Sequence, residues 1–294
     1  MPLLTFIILV LVAAVAPAAE THPHIVTSFL PLYSWATNLV GENASVENLL
    51  PVGSEPHDYA FTFSDARKLE RADLVVVNGL GLEAWLPKFL ANSAKAKDRV
   101  VTISQGMESN LIEGEHEHGA HEHQRHANPH VWLDPQLAAH GVSNILVALQ
   151  RADPAHASAY ATNAQRYLAR LDQLDRDIQE ALAGVTNRAI VTYHDAFPYF
   201  ARRYGLKVAG VVEEVPEVNP TAKYLSRLGR VMRGGDIRVI FIPPGGRTKV
   251  AQRIAADLRA ELIELDTLES GPLTPSAYEE RMRNNAAVLQ KHLK

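Results

Sequence analysis

Histidine is the residue type most able to do chemistry in this chain. Thirteen histidines occur among its 294 residues, cysteine is absent, and six of the histidines fall between His116 and His130. Imidazole nitrogens bind zinc and other divalent metals. A chain without cysteine can form no disulfide or zinc ribbon, and it offers no thiol nucleophile and no site for a thioether-linked lipid. The sequence therefore predicts metal binding through nitrogen and oxygen ligands.

Two histidines and one aspartate lie where an α/β fold collects its ligands, and His130 is a fourth candidate before the linking helix. His57 is in the loop after the second predicted strand, and His130 precedes a long helical stretch. His194 and Asp266 each follow a predicted strand directly. Ligands of parallel α/β sheets bind beyond the carboxyl ends of the strands. Three neutral imidazoles and a carboxylate suit a four-coordinate divalent metal, with zinc favoured over manganese or iron.

A second group of histidines lies in one segment. The chain from Glu113 to Asn128 is polar, aperiodic and rich in histidine and glutamate, so we expect a mobile loop. Imidazoles alternating with carboxylates offer several weak metal sites that would collect zinc near the fixed site; the alternative is a solvated insertion without a role. The histidines of this secondary site are His116, His118, His121, His123 and His126.

Two blocks of alternating strands and helices make up most of the chain, one from His24 to Ile103 and one from Ala189 to Leu265. Between them, apolar residues from Pro154 to Ala183 recur every three or four positions, which predicts a helix of about 28 residues. The predicted fold class is α/β, with two strand-helix domains that contain mainly parallel sheets, a long linking helix and a metal cleft between the domains.

The same pattern predicts the domain boundaries. We expect an N-terminal α/β domain at residues 20–150, the linking helix at 151–184 and a C-terminal α/β domain at 185–294. Within the first domain, Gly79 to Leu90 is predicted to be a helix.

The first 19 residues are typical of a secretory signal peptide. An uninterrupted apolar run from Leu3 to Ala16 is followed by small residues and then by the first charge, Glu20. The run is too short to span a membrane, so we expect a periplasmic protein that is released without a lipid anchor. The 29 basic and 33 acidic residues lack the broad positive field that nucleic-acid binding requires.

Four ordered motifs resemble those of the zinc/manganese-binding solute-binding proteins of ABC importers. They are Gly53–Tyr59, Asn78–Leu86, Asn128–Pro135 and Thr192–Phe197. The resemblance covers nearly the whole mature chain. It implies two domains bridged by a rigid helix, a metal in the cleft and delivery of that metal to a cognate membrane permease. We expect a monomer whose partners are this permease and other periplasmic zinc carriers.

Residue by residue, the resemblance assigns His57, His130 and His194 as metal ligands. Asp266 fits the fourth position, although the family's usual Asp-Pro-Leu-Gly is Asp-Thr-Leu-Glu here. The alternatives for this position are Glu264 and Glu269. Manganese-selective relatives place a carboxylate where this chain has His194, so the resemblance favours zinc.

Two other classes of protein remain open. A periplasmic zinc buffer or chaperone would need the ligands but no transporter. An exported zinc hydrolase would need a catalytic motif, and the nearest match, His121-Glu122-His123-Gln124-Arg125, ends in arginine where HExxH requires histidine. A zinc ion held by four protein ligands also leaves no position for a catalytic water. We therefore predict a binding protein without catalytic residues.

Overall fold

A computed structural model describes residues 22–92, 98–113, 127–213 and 220–293. The predicted signal peptide and the loop histidines from His116 to His126 lie outside these ranges. Within them, no helix combines the length and the apolar character needed to cross a membrane.

The first half of the chain builds a four-stranded sheet. The elements in chain order are β1 (His24–Thr27), α1 (Leu30–Val40), β2 (Ser45–Asn48), α2 (Phe63–Arg71), β3 (Leu74–Val77), α3 (Leu86–Asn92) and β4 (Val100–Thr102). The strand order is β2-β1-β3-β4, and all pairs are parallel. Strand β3 is an apolar run buried along its whole length, as expected for a sheet whose two faces are covered.

Helix α3 begins at Leu86, not at Gly79 as the sequence predicted. Gly79 and Gly81 have φ values of +81° and +82°, which a right-handed helix does not allow. The buried Glu83 carboxylate holds this loop by accepting hydrogen bonds from the amides of Asn78 (2.7 Å) and Gly79 (3.0 Å). The loop therefore replaces the first turns of the predicted helix.

Two long helices follow the first sheet, α4 (Pro135–Ala152) and α5 (Ala157–Ala183). Helix α5 has 27 residues and confirms the predicted linking helix; at 1.5 Å per residue it is roughly 40 Å long. Its apolar stripe is buried, and one continuous core extends from the first sheet across α5 into the second half of the chain. The linking helix is thus packed into the body of the protein.

The second half repeats the alternation. Its elements are β5 (Ala189–His194), α6 (Pro198–Tyr204), β6 (Lys207–Glu213), α7 (Ala222–Gly234), β7 (Val239–Ile242), α8 (Lys249–Leu258), β8 (Glu261–Glu264) and α9 (Ala277–His292). The strand order is β6-β5-β7-β8, again with parallel pairs. Two α/β units joined by a long helix confirm the predicted fold class, while the domain boundaries stay a prediction.

Asp175 on α5 joins three helices. Its carboxylate accepts hydrogen bonds from Arg203 Nε (3.0 Å) and the Tyr204 hydroxyl (3.0 Å) on α6, and from Gln136 Nε2 (3.2 Å) on α4. Burial raises the pKa of Asp175, but the hydrogen bonds from Arg203 and Tyr204 outweigh it and hold that pKa below its ordinary value. The ionised carboxylate therefore stabilises the packing of α5 between the two halves.

We expect Asp175→Asn to lower the free energy of unfolding by about 1 to 3 kcal/mol at pH 7, because it removes the charge of a buried carboxylate whose hydrogen bonds join three helices. The pKa of Asp175 is lower in the folded state than in the unfolded state. Its stabilisation is therefore complete above the unfolded value of about 4 and disappears as the pH falls through the folded value. Thermal unfolding from pH 7 to pH 3 should show the variant and the wild type converging in acid.

The matched control is Asp177→Asn on the same helix. Asp177 pairs with Arg283 at 2.9 Å, and both side chains are partly exposed. This variant should change the free energy of unfolding by less than about 1 kcal/mol. Equal losses in the two variants would contradict a special role for Asp175.

Candidate metal centre

Three imidazoles and one carboxylate converge on a single point. His57 is in the loop after β2, and His130 precedes the short helical turn Val131–Leu133. His194 is the last residue of β5, and Glu269 is in the loop after β8. One ligand atom from each of the four residues lies within 4.8 Å of the other three. Each half of the chain supplies two of these residues, so an ion at this point would join the halves.

The spacing of the four atoms suits a tetrahedral ion. His130 Nε2 is 3.2 Å from His57 Nε2 and 3.0 Å from His194 Nε2. Glu269 Oε1 is 3.1 Å from His57 Nε2 and 3.3 Å from His130 Nε2. In a tetrahedral zinc site with bonds of about 2.0 Å, the ligand atoms lie about 3.3 Å apart. The side chains are therefore arranged as ligands around a zinc-sized ion would be.

The electrostatics of the cluster favour a cation. The Glu269 side chain is 3% exposed, and its Oε1 has no hydrogen-bond partner among the described residues. Burial raises the pKa of Glu269, but contacts with His130 and His57 outweigh it and lower the pKa well below its ordinary value. Burial lowers the pKa of His57, yet Glu269 raises it overall. A buried carboxylate beside imidazole nitrogens requires positive charge, which a divalent ion supplies.

A second carboxyl group, that of Glu55, approaches the cluster from the loop that carries His57. Burial, followed by repulsion from Glu269, raises the pKa of Glu55 to about 7. Its protonated form can hydrogen-bond to Glu269. Sequence reasoning did not assign Glu55 a role, although it stands two residues before His57.

Asn128 orients His130, and the sequence analysis gave Asn128 no such role. Its side-chain oxygen accepts a hydrogen bond from His130 Nδ1 at 2.9 Å. Its side-chain nitrogen donates to the backbone oxygen (2.8 Å) and a carboxylate oxygen (3.1 Å) of Asp195. Because an amide oxygen only accepts, the His130 proton sits on Nδ1 and the Nε2 lone pair faces the cluster. The signal in the sequence was the position of Asn128 two residues before His130.

Asp266, the expected fourth ligand, lies outside the cluster, and Glu269, one of its two alternatives, lies inside it. Asp266 Oδ2 pairs with Arg281 Nη1 at 3.0 Å, and Asp266 Oδ1 accepts the Leu268 amide at 2.8 Å. This hydrogen bond closes a turn in which Leu268 has a φ of +62°. The turn directs the next side chain, Glu269, into the cluster. The other alternative, Glu264, pairs with Arg247 at 3.5 Å with both side chains about half exposed.

The predicted secondary site falls outside the described residues, since His116, His118, His121, His123 and His126 lie within residues 114–126. The flanks of this segment are described. Glu113 and Ala127 form an antiparallel bridge, and Ala127 is three residues before His130. The two described flanks of the segment are therefore joined to each other three residues before His130.

Comparisons with known proteins point to one family. The model of the family "Zinc-uptake complex component A periplasmic" matches residues 25–292. The high-affinity zinc uptake system protein ZnuA of Bacillus subtilis is 33% identical over 256 residues, which cover 84% of this chain and 78% of that protein. The zinc-binding lipoprotein AdcA of Streptococcus pneumoniae is 30% identical over 280 residues, 94% of this chain and 55% of AdcA. The chain thus spans about half the length of that relative.

A solved structure agrees with these matches. The solute-binding protein FpvC of Pseudomonas aeruginosa, in complex with Ni²⁺, has a TM-score of 0.80 and 27% sequence identity. The match covers 93% of this chain and 97% of FpvC. Another structure of FpvC contains Mn²⁺.

We expect Glu269→Gln to lower zinc affinity at least tenfold, because the amide keeps the shape of the side chain but removes its charge. Asp266→Asn should change affinity less than about threefold, since its remaining oxygen still accepts the Leu268 amide. Competition titration with a fluorescent zinc chelator measures both constants. The reverse ranking would return Asp266 to the fourth ligand position.

Proposed function

The chain belongs to the family of periplasmic A components of zinc-uptake complexes, and from this membership we propose that it captures zinc and delivers it to the permease of an ABC importer. The family consists of solute-binding proteins, which confirms the expectation that this protein is not an enzyme. The observation that carries the proposal is the convergence of His57, His130, His194 and Glu269 within 4.8 Å.

The origin of these residues suits a carrier. His57 and His130 come from the first half of the chain, while His194 and Glu269 come from the second. An ion bound by all four holds the two halves together, and separating the halves removes ligands from it. We propose that limited closure about α5 accompanies capture and that opening at the permease releases the ion. A zinc buffer or chaperone would use the same ligands without the delivery step.

Zinc is the cargo that this ligand set supports best. Imidazole suits zinc, whereas an oxygen-rich site would suit manganese, and only one of the four donors here is an oxygen. The two relatives described above carry zinc in their names. Manganese or iron is the second candidate, because FpvC structures hold Ni²⁺ and Mn²⁺ on a similar fold.

The protein works outside the cytoplasm, as its family description says. We propose that it is secreted by the signal peptide at residues 1–19 and acts as a monomer in the periplasm. The pneumococcal relative is named a lipoprotein, which conflicts with the expectation of a carrier without a lipid anchor. The 294 residues of this chain contain no cysteine that could take a thioether-linked lipid. The proposed partners are the permease and other periplasmic zinc carriers, with no nucleic acid.

We propose a collecting role for the histidines of residues 114–126. Their segment joins the fold at the Glu113–Ala127 bridge, next to His130. Zinc bound weakly by His116, His118, His121, His123 and His126 would therefore be released close to the main site.

The ligand assignment predicts that His57→Ala, His130→Ala and His194→Ala each lower zinc affinity at least tenfold, because each removes one of four coordinating atoms. Competition titrations with zinc and manganese measure the effect. His24→Ala is the control, since His24 pairs with Glu47 on the first sheet and should not affect binding. Wild-type affinity in His194→Ala would remove His194 from the site, and a preference for manganese would overturn the choice of zinc.

The collecting role predicts a loss of weak sites when the histidine segment is removed. Calorimetry on the full chain should show one tight zinc equivalent and additional weaker ones. Deleting residues 115–126 should leave the tight equivalent and abolish the weaker ones, because the fixed ligands lie outside the deletion. A single equivalent in both proteins would refute the collecting role and leave the main site untouched.

A further inference from the structure

Helices α7 and α8 form the outer layer of the second domain. Buried residues of α7 (Leu228, Met232) and α8 (Ile254, Leu258) pack on one face of the second sheet in a core separate from the one that contains α5 and α9. The helices touch closely at Gly229, where an added Cβ would lie 3.2 Å from Leu258 Cδ2. Their opposite faces therefore form one continuous surface on the side of the domain away from α5.

This surface is strongly basic. Its Lys and Arg side chains, which we call the basic face, are all exposed: Lys223, Arg227, Arg230 and Arg233 on α7, Lys249 and Arg253 on α8, and Arg259 at the end of α8. The only acidic residue within the two helices is Asp257, which pairs with Arg253 at 3.4 Å. Two exposed valines, Val231 and Val250, lie on the same helices.

The charge of the whole chain hides this asymmetry. Residues 185–294 contain 17 basic and 12 acidic residues, whereas residues 20–150 contain 8 basic and 16 acidic ones. The second domain is therefore positive and the first is negative, although the chain as a whole carries −4. Seven of the 17 basic residues in this positive domain belong to the basic face.

No ion pair among the described residues involves Lys223, Arg230, Arg233 or Lys249. Arg230 reaches only the hydroxyl of Ser226, at 3.3 Å. Spread over two neighbouring helices and not gathered into a pocket, these charges match an extended anionic surface better than a small anion. Phospholipid headgroups form such a surface, and basic side chains are attracted to it within about one Debye length.

We propose that the basic face binds the anionic phospholipid surface of the membrane that contains the permease, as a reversible anchor. A relative of this chain is named a lipoprotein, while the 294 residues here hold no cysteine, so electrostatic attraction would supply what a lipid supplies there. The acidic first domain is repelled by the same surface, which would orient the carrier with its second domain against the membrane. The proposal concerns lipid and not metal, so it stands or falls independently of the zinc site.

The experiment is flotation of the zinc-loaded full chain with vesicles of neutral phosphatidylcholine, alone or mixed with anionic phosphatidylglycerol. We expect binding only to the anionic vesicles at about 50 mM salt, and its loss at about 500 mM salt because counterions screen the attraction. The triple variant Arg230→Glu, Arg233→Glu, Lys249→Glu should bind at least tenfold more weakly. The corresponding glutamine variant should fall between it and the wild type.

A matched control reverses three exposed charges elsewhere, in the variant Arg67→Glu, Arg166→Glu, Arg176→Glu. It changes the net charge by the same amount and should keep most of the vesicle binding. Zinc titration of both variants should give wild-type affinity, which shows that each is folded. Equal binding to neutral vesicles, equal losses in both variants, or binding that requires the permease in the vesicles would each overturn the proposal.

Discussion

The buried carboxylate of Glu269 is the constraint around which the site is organised. A negative charge that is 3% exposed costs several kcal/mol unless a positive charge lies beside it. The neighbours here are imidazole nitrogens, which neutralise it only by holding protons or by sharing a cation with it. Because those nitrogens come from both halves of the chain, the requirement for a cation at this point is also a requirement for the halves to meet.

Two members of the cluster, His130 and Glu269, are held in place by polar contacts behind them. Asn128 and Asp195 orient His130, and the contact between them crosses from one half of the chain to the other. The loop that carries Glu269 is fixed through Thr267, whose backbone oxygen accepts the indole N–H of Trp132 at 2.8 Å. Fixed ligands reduce the entropy lost when an ion binds, which supports tight capture.

The proposed capture of zinc and the proposed attachment to membrane use different parts of the second domain. The cluster lies at the ends of strands β5 and β8, facing the first domain, whereas the basic face covers the opposite layer formed by α7 and α8. Helices α7 and α8 pack in a core that is separate from the core containing α5 and α9. Charge on these outer helices can therefore serve membrane contact without disturbing the ligands. The two proposals can therefore be tested on the same protein independently.

Local sequence was sufficient for the fold class and for the positions of three histidines. Alternating apolar runs mark strands and helices, and parallel strands place the residues that follow them at one edge, so His57 and His194 could be proposed together. The family resemblance, not a strand end, assigned His130 to the site with them. Their convergence in the structure agrees with that reasoning, although their role as ligands stays a proposal. The helix predicted at Gly79 starts later because buried Glu83 holds the loop, a contact that periodicity does not reveal.

The choice between Asp266 and Glu269 needed the tertiary structure. Both are carboxylates after the same strand, and nothing local distinguishes them. Arg281 on α9 pairs with Asp266, and Asn285 of the same helix accepts its backbone amide and donates to its backbone oxygen. These contacts hold the left-handed turn at Leu268 that sends Glu269 inward. The sequence determined which residues reach the edge of the sheet, and packing against α9 decided which carboxylate enters the site.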